Sequence, residues 1–292
     1  MRGIILQGIG GFYYARDDSG KVYQIRAQRK LRRERTKPKV GDEIDFIPGE
    51  GEEDGWITAI QPRRSELVRP PVANIDAVVI VVAAAAPLPD LAMADRLMVN
   101  ARRACIDVIL AISKCDLDEG LADEIICQYR GAECEPVKVS SVTGEGIDAL
   151  RERLRGRVCA LAGQSGAGKS TLINALYGLE LETGDLSHRI DRGKNTTRSC
   201  QLIPVEGGGM VLDTPGFSLL ETEVFDPVEL KDSYPEFTPY EGGCYFQPCY
   251  HASEPRCAVR AAVAAGEIDD KRHGRYAALL EDMRQRWRER YD

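Results

Sequence analysis

The 292-residue chain has no apolar run long enough to span a bilayer as a helix. Its longest run, Ala77 to Leu88, falls well short of the roughly 20 residues that a crossing needs. The opening residues MRGIILQGIGG lack the charged, apolar and small-residue order of a secretory signal. Together these point to a cytoplasmic protein with no membrane partner. No internal repeat or low-complexity tract is present, which argues against a solenoid or a linker. A disulfide framework is also missing. Of nine cysteines, six lie scattered and three sit close together near the C-terminus, and an odd total without a secretion signal favours reduced thiols. Only three histidines occur; His188 and His273 read as surface residues rather than ligands.

The remaining composition, 43% hydrophobic and 29% charged, fits a soluble chain with buried cores, and the length fits two or three domains. The net charge of −7 is unevenly spread. Residues 1–72 hold 14 Lys and Arg against 11 Asp and Glu, a balance of +3, so the rest carries −10. Arg26 to Lys39 alone has eight basic residues and one acid, Glu34. Such a run is either a solvated loop or a contact for a polyanion.

Three styles of sequence follow one another. Ile4–Tyr14, Val22–Ala27, Glu43–Ile47 and Trp56–Ile60 are short β-type segments separated by turn signals, and they predict a small barrel of OB type or SH3-like type. The OB type is preferred, and Arg69-Pro70-Pro71 ends it as a linker. From Val78 the chain alternates: strand Val78–Val82, helix Asp90–Cys105, strand Val108–Ile112, helix Glu119–Tyr129, strand Glu135–Val139, helix Ile147–Leu154, strand Val158–Leu161. Alternation predicts an α/β layered domain. The last part holds a Cys/His cluster and then a helix from Gly274 to Tyr291, with Tyr276, Leu279, Leu280, Met283 and Trp287 on one face. The expected organisation is therefore α/β multidomain: an N-terminal OB-type β-barrel over 1–71, a P-loop domain over 72–222, and a C-terminal zinc-binding helical domain over 223–292.

Gly163-Gln164-Ser165-Gly166-Ala167-Gly168-Lys169-Ser170-Thr171 fits the P-loop pattern between a strand and the helical Leu172–Tyr177. Glycines let backbone amides turn inward around phosphate oxygens. Lys169 then meets the β- and γ-phosphates, and the Ser170 hydroxyl ligates Mg²⁺. Asp213-Thr214-Pro215-Gly216 follows the apolar Met210-Val211-Leu212, which suits an aspartate that holds Mg²⁺ through water and a Gly216 amide offered to the γ-phosphate. Between them Arg192–Arg198 suits a switch, one of whose threonines, Thr197 by preference, completes the Mg²⁺ shell.

Ser113-Lys114-Cys115-Asp116 approximates the guanine-reading N-K-x-D motif. The Asp116 carboxylate accepts from guanine N1–H and the 2-amino group, which adenine does not offer. Lys114 lays its stem over the base. Ser140-Ser141-Val142-Thr143-Gly144-Glu145-Gly146 resembles the S-A-K loop whose backbone amide meets guanine O6. These base-reading elements precede the P-loop, whereas in ordinary Ras-like GTPases they follow it. A circular permutation of that fold is implied. Cys244, Cys249, His251 and Cys257 form a Cys₃His set of structural zinc type, closed to a catalytic water.

Together the motifs resemble the bacterial ribosome small-subunit-dependent GTPase A family, along nearly the whole chain. The resemblance implies an OB domain, a circularly permuted GTPase domain and a zinc domain. It implies binding to the 30S ribosomal subunit and 16S rRNA late in maturation, with GTP hydrolysis stimulated by the subunit and release after cleavage. The family usually has Asn where Ser113 stands, and many members have His where Asn195 stands. Phe217, not glutamine, follows Gly216. A slow intrinsic rate is expected, and no residue is assigned to positioning the attacking water. The alternative is an RNA-binding module with GTP as a structural ligand; an ATP-dependent kinase lacks an acceptor site and is opposed by Asp116. Each domain reads as complete enough for a monomer.

Overall fold

The computed structural model describes residues 1–28, 37–49, 53–68, 70–179, 200–213 and 224–290. Thr197, Gly216, His188, Asn195 and Phe217 lie outside the described residues, as does most of the basic run, from Arg29 to Arg35.

Five strands build the N-terminal barrel: β1 Arg2–Ile9, β2 Phe12–Asp17, β3 Val22–Ala27, β4 Glu43–Ile47 and β5 Gly55–Ile60. The expected single segment Ile4–Tyr14 is in fact a hairpin. Gly10 and Gly11 both take positive φ, +60° and +87°, as a two-residue hairpin turn demands. The sheet runs β1-β2-β3-β5-β4 and closes through a β1–β4 pair, with β3 and β5 parallel. Five strands closed in this order are OB-like rather than SH3-like. Ile5, Ala15, Ile25, Ile44, Phe46 and Ile57 alternate inward along these strands and fill the barrel.

A short pair, β6 Glu66–Leu67 and β7 Val72–Ala73, leads to the α/β domain. There Arg63 donates to both oxygens of fully buried Asp42, tying the barrel to this connection.

The α/β sheet has the order β10-β9-β8-β11-β13-β12, built from β8 Ala77–Ala83, β9 Asp107–Ser113, β10 Val137–Val139, β11 Val158–Gly163, β12 Gln201–Pro204 and β13 Met210–Asp213. All pairs are parallel except β12–β13. All seven residues of β8 are buried, as a strand covered on both faces requires. Helices α1 Leu91–Arg103, α2 Glu119–Gln128, α3 Ile147–Leu154 and α4 Lys169–Tyr177 cover the sheet. Expected strands and helices agree with these to within a few residues at their ends. The two sheets are one: β1 pairs with β12 through Gln7 and Gln201, so the barrel covers what would otherwise be an open edge.

The C-terminal module packs two 3-10 segments, Pro227–Ser233 and Pro235–Tyr240, against α5 Ala258–Ala264 and α6 Asp270–Glu289. Tyr276, Leu279, Leu280 and Met283 of α6 join Phe237, Tyr234 and Leu230 in its core. Trp287 is only partly buried. His273, expected at the surface, is buried and bonds to the His251 carbonyl at 2.7 Å.

Candidate functional site

The P-loop leaves the central strand β11 at Gly163. A Cβ here would lie 2.2 Å from the Val81 carbonyl oxygen, and φ is +135°, so only glycine fits. The loop continues through half-buried Gln164 and exposed Ser165 and Gly166 to buried Ala167. Gly168, at φ +91°, caps α4, so that Lys169, Ser170 and Thr171 form its first turn. The free amides of that turn and the helix dipole face the loop, an arrangement suited to phosphate. Lys169 Nζ donates to the carbonyls of Gly163 and Gln164, at 2.7 and 2.8 Å, which holds the ammonium over the loop. Asp213 ends β13, the strand that pairs in parallel with β11, from which the P-loop leaves.

The residues expected to read the base follow the end of β9, two strands away. Ser113 is the last residue of that strand and is buried. Its hydroxyl donates to the Ala167 carbonyl at 2.6 Å. The bond locks the strand end to the P-loop, a strut that the short serine side chain reaches from directly beneath. Lys114 takes φ +58°, and its ammonium donates to the carbonyls of Gly166 at 2.9 Å and Ala86 at 2.6 Å. Asp116 stands exposed two residues on. The second loop is organised by buried Ser140, whose hydroxyl accepts from the Val142 and Thr143 amides while its backbone N–H donates to Glu145. Ser141 is half-buried and Val142 is 87% exposed, so the tip of this loop stands at the surface. The Cys115 amide bonds back to the Val139 carbonyl and joins the two loops.

The Ser113 strut carries a prediction. Ser113→Ala removes one buried hydrogen bond of about 1 kcal/mol and leaves the Ala167 carbonyl unpaired. Affinity for GTP and GDP should fall several-fold and equally, with preference over ATP unchanged, in a fluorescent-nucleotide titration. Unchanged affinity would remove the strut from the account.

In the C-terminal module one nitrogen of His251 and the sulfurs of Cys244, Cys249 and Cys257 lie within 4.8 Å of one another, all buried. His251 Nδ1 stands 3.5 Å from Cys244 Sγ and 3.3 Å from Cys257 Sγ. Burial keeps the His251 imidazole below its ordinary pKa, in the neutral state that binds metal, and pushes the Cys249 thiol up to about 12. Three thiols and an imidazole converging in a dry pocket fit a tetrahedral cation, whose charge favours the thiolates that burial disfavours. Glu254 shapes the loop by accepting from the amides of Tyr250, Ala252 and Ser253. Burial works to raise its carboxyl, and these amides outweigh it, holding it below the usual range.

Residues 60–223 match the RsgA GTPase family model, and residues 2–57 match that of the RsgA N-terminal domain. The chain belongs to the RsgA GTPase family. A small ribosomal subunit biogenesis GTPase RsgA of Geobacillus thermodenitrificans is 43% identical over 97% of this chain and 98% of its own length. The protein of the same description in Ruminiclostridium cellulolyticum is 40% identical over 97% of this chain and 93% of its own. The crystal structure of YjeQ from Thermotoga maritima superposes with a TM-score of 0.84 at 33% identity, covering 97% of this chain and 98% of that one. YloQ, described as a circularly permuted GTPase, gives 0.78 at 31% identity over 98% and 95%. The motif order, the sheet order and these neighbours agree on a GTP-hydrolysing enzyme of permuted fold.

Proposed function

We propose that this chain hydrolyses GTP to GDP and phosphate as a switch on the 30S ribosomal subunit, acting in its late maturation and stimulated by it. The observation that carries the reading is the pair of bonds from Ser113 and Lys114 to the P-loop carbonyls of Ala167 and Gly166. They hold a base-reading strand end and a phosphate cradle in one rigid unit, and the names of the relatives supply the ribosomal direction.

In this reading Asp116 takes the guanine N1–H and 2-amino group, Lys114 covers the base, and the Ser140–Val142 backbone meets O6. Gly163 to Thr171 surround the phosphates, and Lys169 offsets their charge. Ser170, Thr197 and Asp213 hold Mg²⁺, and Gly216 offers its amide to the γ-phosphate. Mg²⁺ neutralises charge developing on the phosphate oxygens when bound. Cys244, Cys249, His251 and Cys257 hold one structural Zn²⁺ that shapes the C-terminal module without joining the reaction. Residues 1–71, 72–222 and 223–292 are the three domains of a cytoplasmic monomer. The barrel faces 16S rRNA through the basic run. Its two ends are held in place: Arg26 pairs with Asp54 at 2.7 Å and stacks on Phe12, and Lys39 pairs with Glu66 at 2.6 Å.

The deciding experiment is steady-state GTP hydrolysis with and without 30S subunits, in wild type and Asp116→Asn. Strong stimulation by the subunit is expected. The variant loses two charge-assisted hydrogen bonds of about 1.5–3 kcal/mol each, so GTP affinity should drop by at least about a hundredfold. Hydrolysis indifferent to both mature and precursor subunits would leave a GTPase with another partner.

A further inference from the structure

Helix α1 lies between the P-loop and the C-terminal module and is bonded to both. At its start the backbone N–H of the capping residue Asp90 donates to Gln164 Oε1 at 3.1 Å. Gln164 is the second residue of the P-loop, and its own carbonyl accepts from Lys169 Nζ at 2.8 Å. Further along α1, Asp95 is 1% exposed and is gripped from α6. Arg272 donates to one carboxylate oxygen at 2.5 Å and Arg275 to the other at 2.7 Å, while the Tyr129 hydroxyl adds a third bond at 2.6 Å. The end of α1 is held by the same module. Arg102 donates to the Ser233 carbonyl at 2.5 Å; Arg103 pairs with Glu229 at 3.0 Å and covers the Phe225 ring. Val99, between them, packs in the module's apolar core.

We propose that α1 is a relay in which Gln164 reads phosphate occupancy and Asp95 passes it to Arg272 and Arg275 of the zinc module. The inference rests on the GTP-binding reading above. Phosphate draws the Lys169 ammonium toward itself, so the hold of Lys169 on the Gln164 carbonyl changes as nucleotide enters. Gln164 is thus a P-loop side chain bonded directly to the start of α1. A buried, hydrogen-bonded carboxylate joined to two guanidinium groups resists small shifts until it yields as a whole, so motion of α1 is passed on rather than absorbed.

The test is amide hydrogen exchange across Asp270–Glu289 in the full chain, apo and saturated with GDP or a non-hydrolysable GTP analogue. Wild type should show exchange rates that change by about fivefold or more on loading. Gln164→Ala, still saturable at higher nucleotide, should show a change below about twofold. Arg275→Met attacks the far end without touching the P-loop, and should reduce the response in the same way. Loaded wild type with unchanged exchange overturns the relay alone. A full response in either variant overturns the route assigned to it. Failure of wild type to bind nucleotide overturns the relay and the nucleotide reading together.

Discussion

Chelating zinc from the C-terminal module should unfold residues 224–290 while the GTPase domain keeps its nucleotide. Four ligands from a stretch of fourteen residues, Cys244 to Cys257, close around one point, and all four are buried. The segment between them holds no helix or strand: short α5 begins only after Cys257, and α6 reaches the loop through His273, on the His251 carbonyl, and Tyr276, on the Tyr250 carbonyl. With zinc bound as proposed, the metal would join Glu254, His273 and Tyr276 in holding this shape, and His251 itself sits at φ +57°, a conformation that costs energy without compensation. Structural zinc in comparable small modules supplies roughly 10–16 kcal/mol of apparent folding free energy. The aromatic core of Tyr234, Phe237 and Tyr276 packs directly against His251, with ring centroids of Phe237 and His251 5.8 Å apart, so it should loosen with the loop. A chelator titration followed by limited proteolysis and fluorescent GDP binding measures both halves of this expectation. Cys257→Ser should bring zinc content from about one per chain toward zero by elemental analysis. An unchanged proteolytic pattern after complete chelation would show that the module stands without metal.

The parts of this molecule that were legible in the sequence are those where chemistry is local. The P-loop, the Asp213 strand end and the Cys₃His spacing each place several functional groups within one short stretch, and the all-apolar β8 announces a strand buried on both faces. The barrel was readable as a set of short strands, but Gly10-Gly11 was hidden because the flanking apolar residues run on in a continuous alternation. What pairs across distance was not readable. Ser113 looked like a departure from an asparagine motif, yet its hydroxyl reaches the Ala167 carbonyl, 54 positions away. The join of β1 to β12 depends on how two domains dock, and Gln7 and Gln201 carry no mark of it. Asp95 did leave a trace. It is an acid among Met93, Ala94, Leu97 and Met98 on the buried side of α1, and such an acid needs a cation. Its partner Arg272 is 177 positions away, on a helix whose apolar stripe begins only at Tyr276.

That pair gives the second large effect. Arg272→Ala should destabilise the docked C-terminal module by about 3–5 kcal/mol, the usual cost of leaving buried charge uncompensated. Arg272 is 1% exposed and bridges Asp95 of the GTPase domain to Glu236 of the module, at 2.5 and 2.8 Å. Its guanidinium also lies against the rings of Tyr129 and Tyr234, 4.8 and 4.4 Å from their centroids. Burial alone would lower its pKa, and the carboxylates of Asp95 and Glu236 outweigh burial and hold it well above the ordinary value. The side chain is therefore a permanent cation between two acids, and its removal leaves them facing each other with Arg275 on Asp95 and with Arg102, in the field of Glu236, already bonded to the Ser233 and Ala132 carbonyls. Arg275 already serves Asp95 and Gln128, so it cannot take over Glu236 without giving one of them up. The loss should appear as a melting transition of the module separate from that of the GTPase domain, in calorimetry of the zinc-loaded, GDP-bound protein. The triple change Asp95→Leu, Glu236→Leu, Arg272→Met removes the three most buried charges together, leaves the more exposed Arg275 on Gln128, and should recover most of the stability, because an apolar replacement of a buried ion cluster is often neutral or better. The same triple variant should still lose the exchange response of α6 to nucleotide, since its packing would be restored without the bonds that grip α1. Recovery of that response along with stability would mean that shape, not charge, couples the two domains.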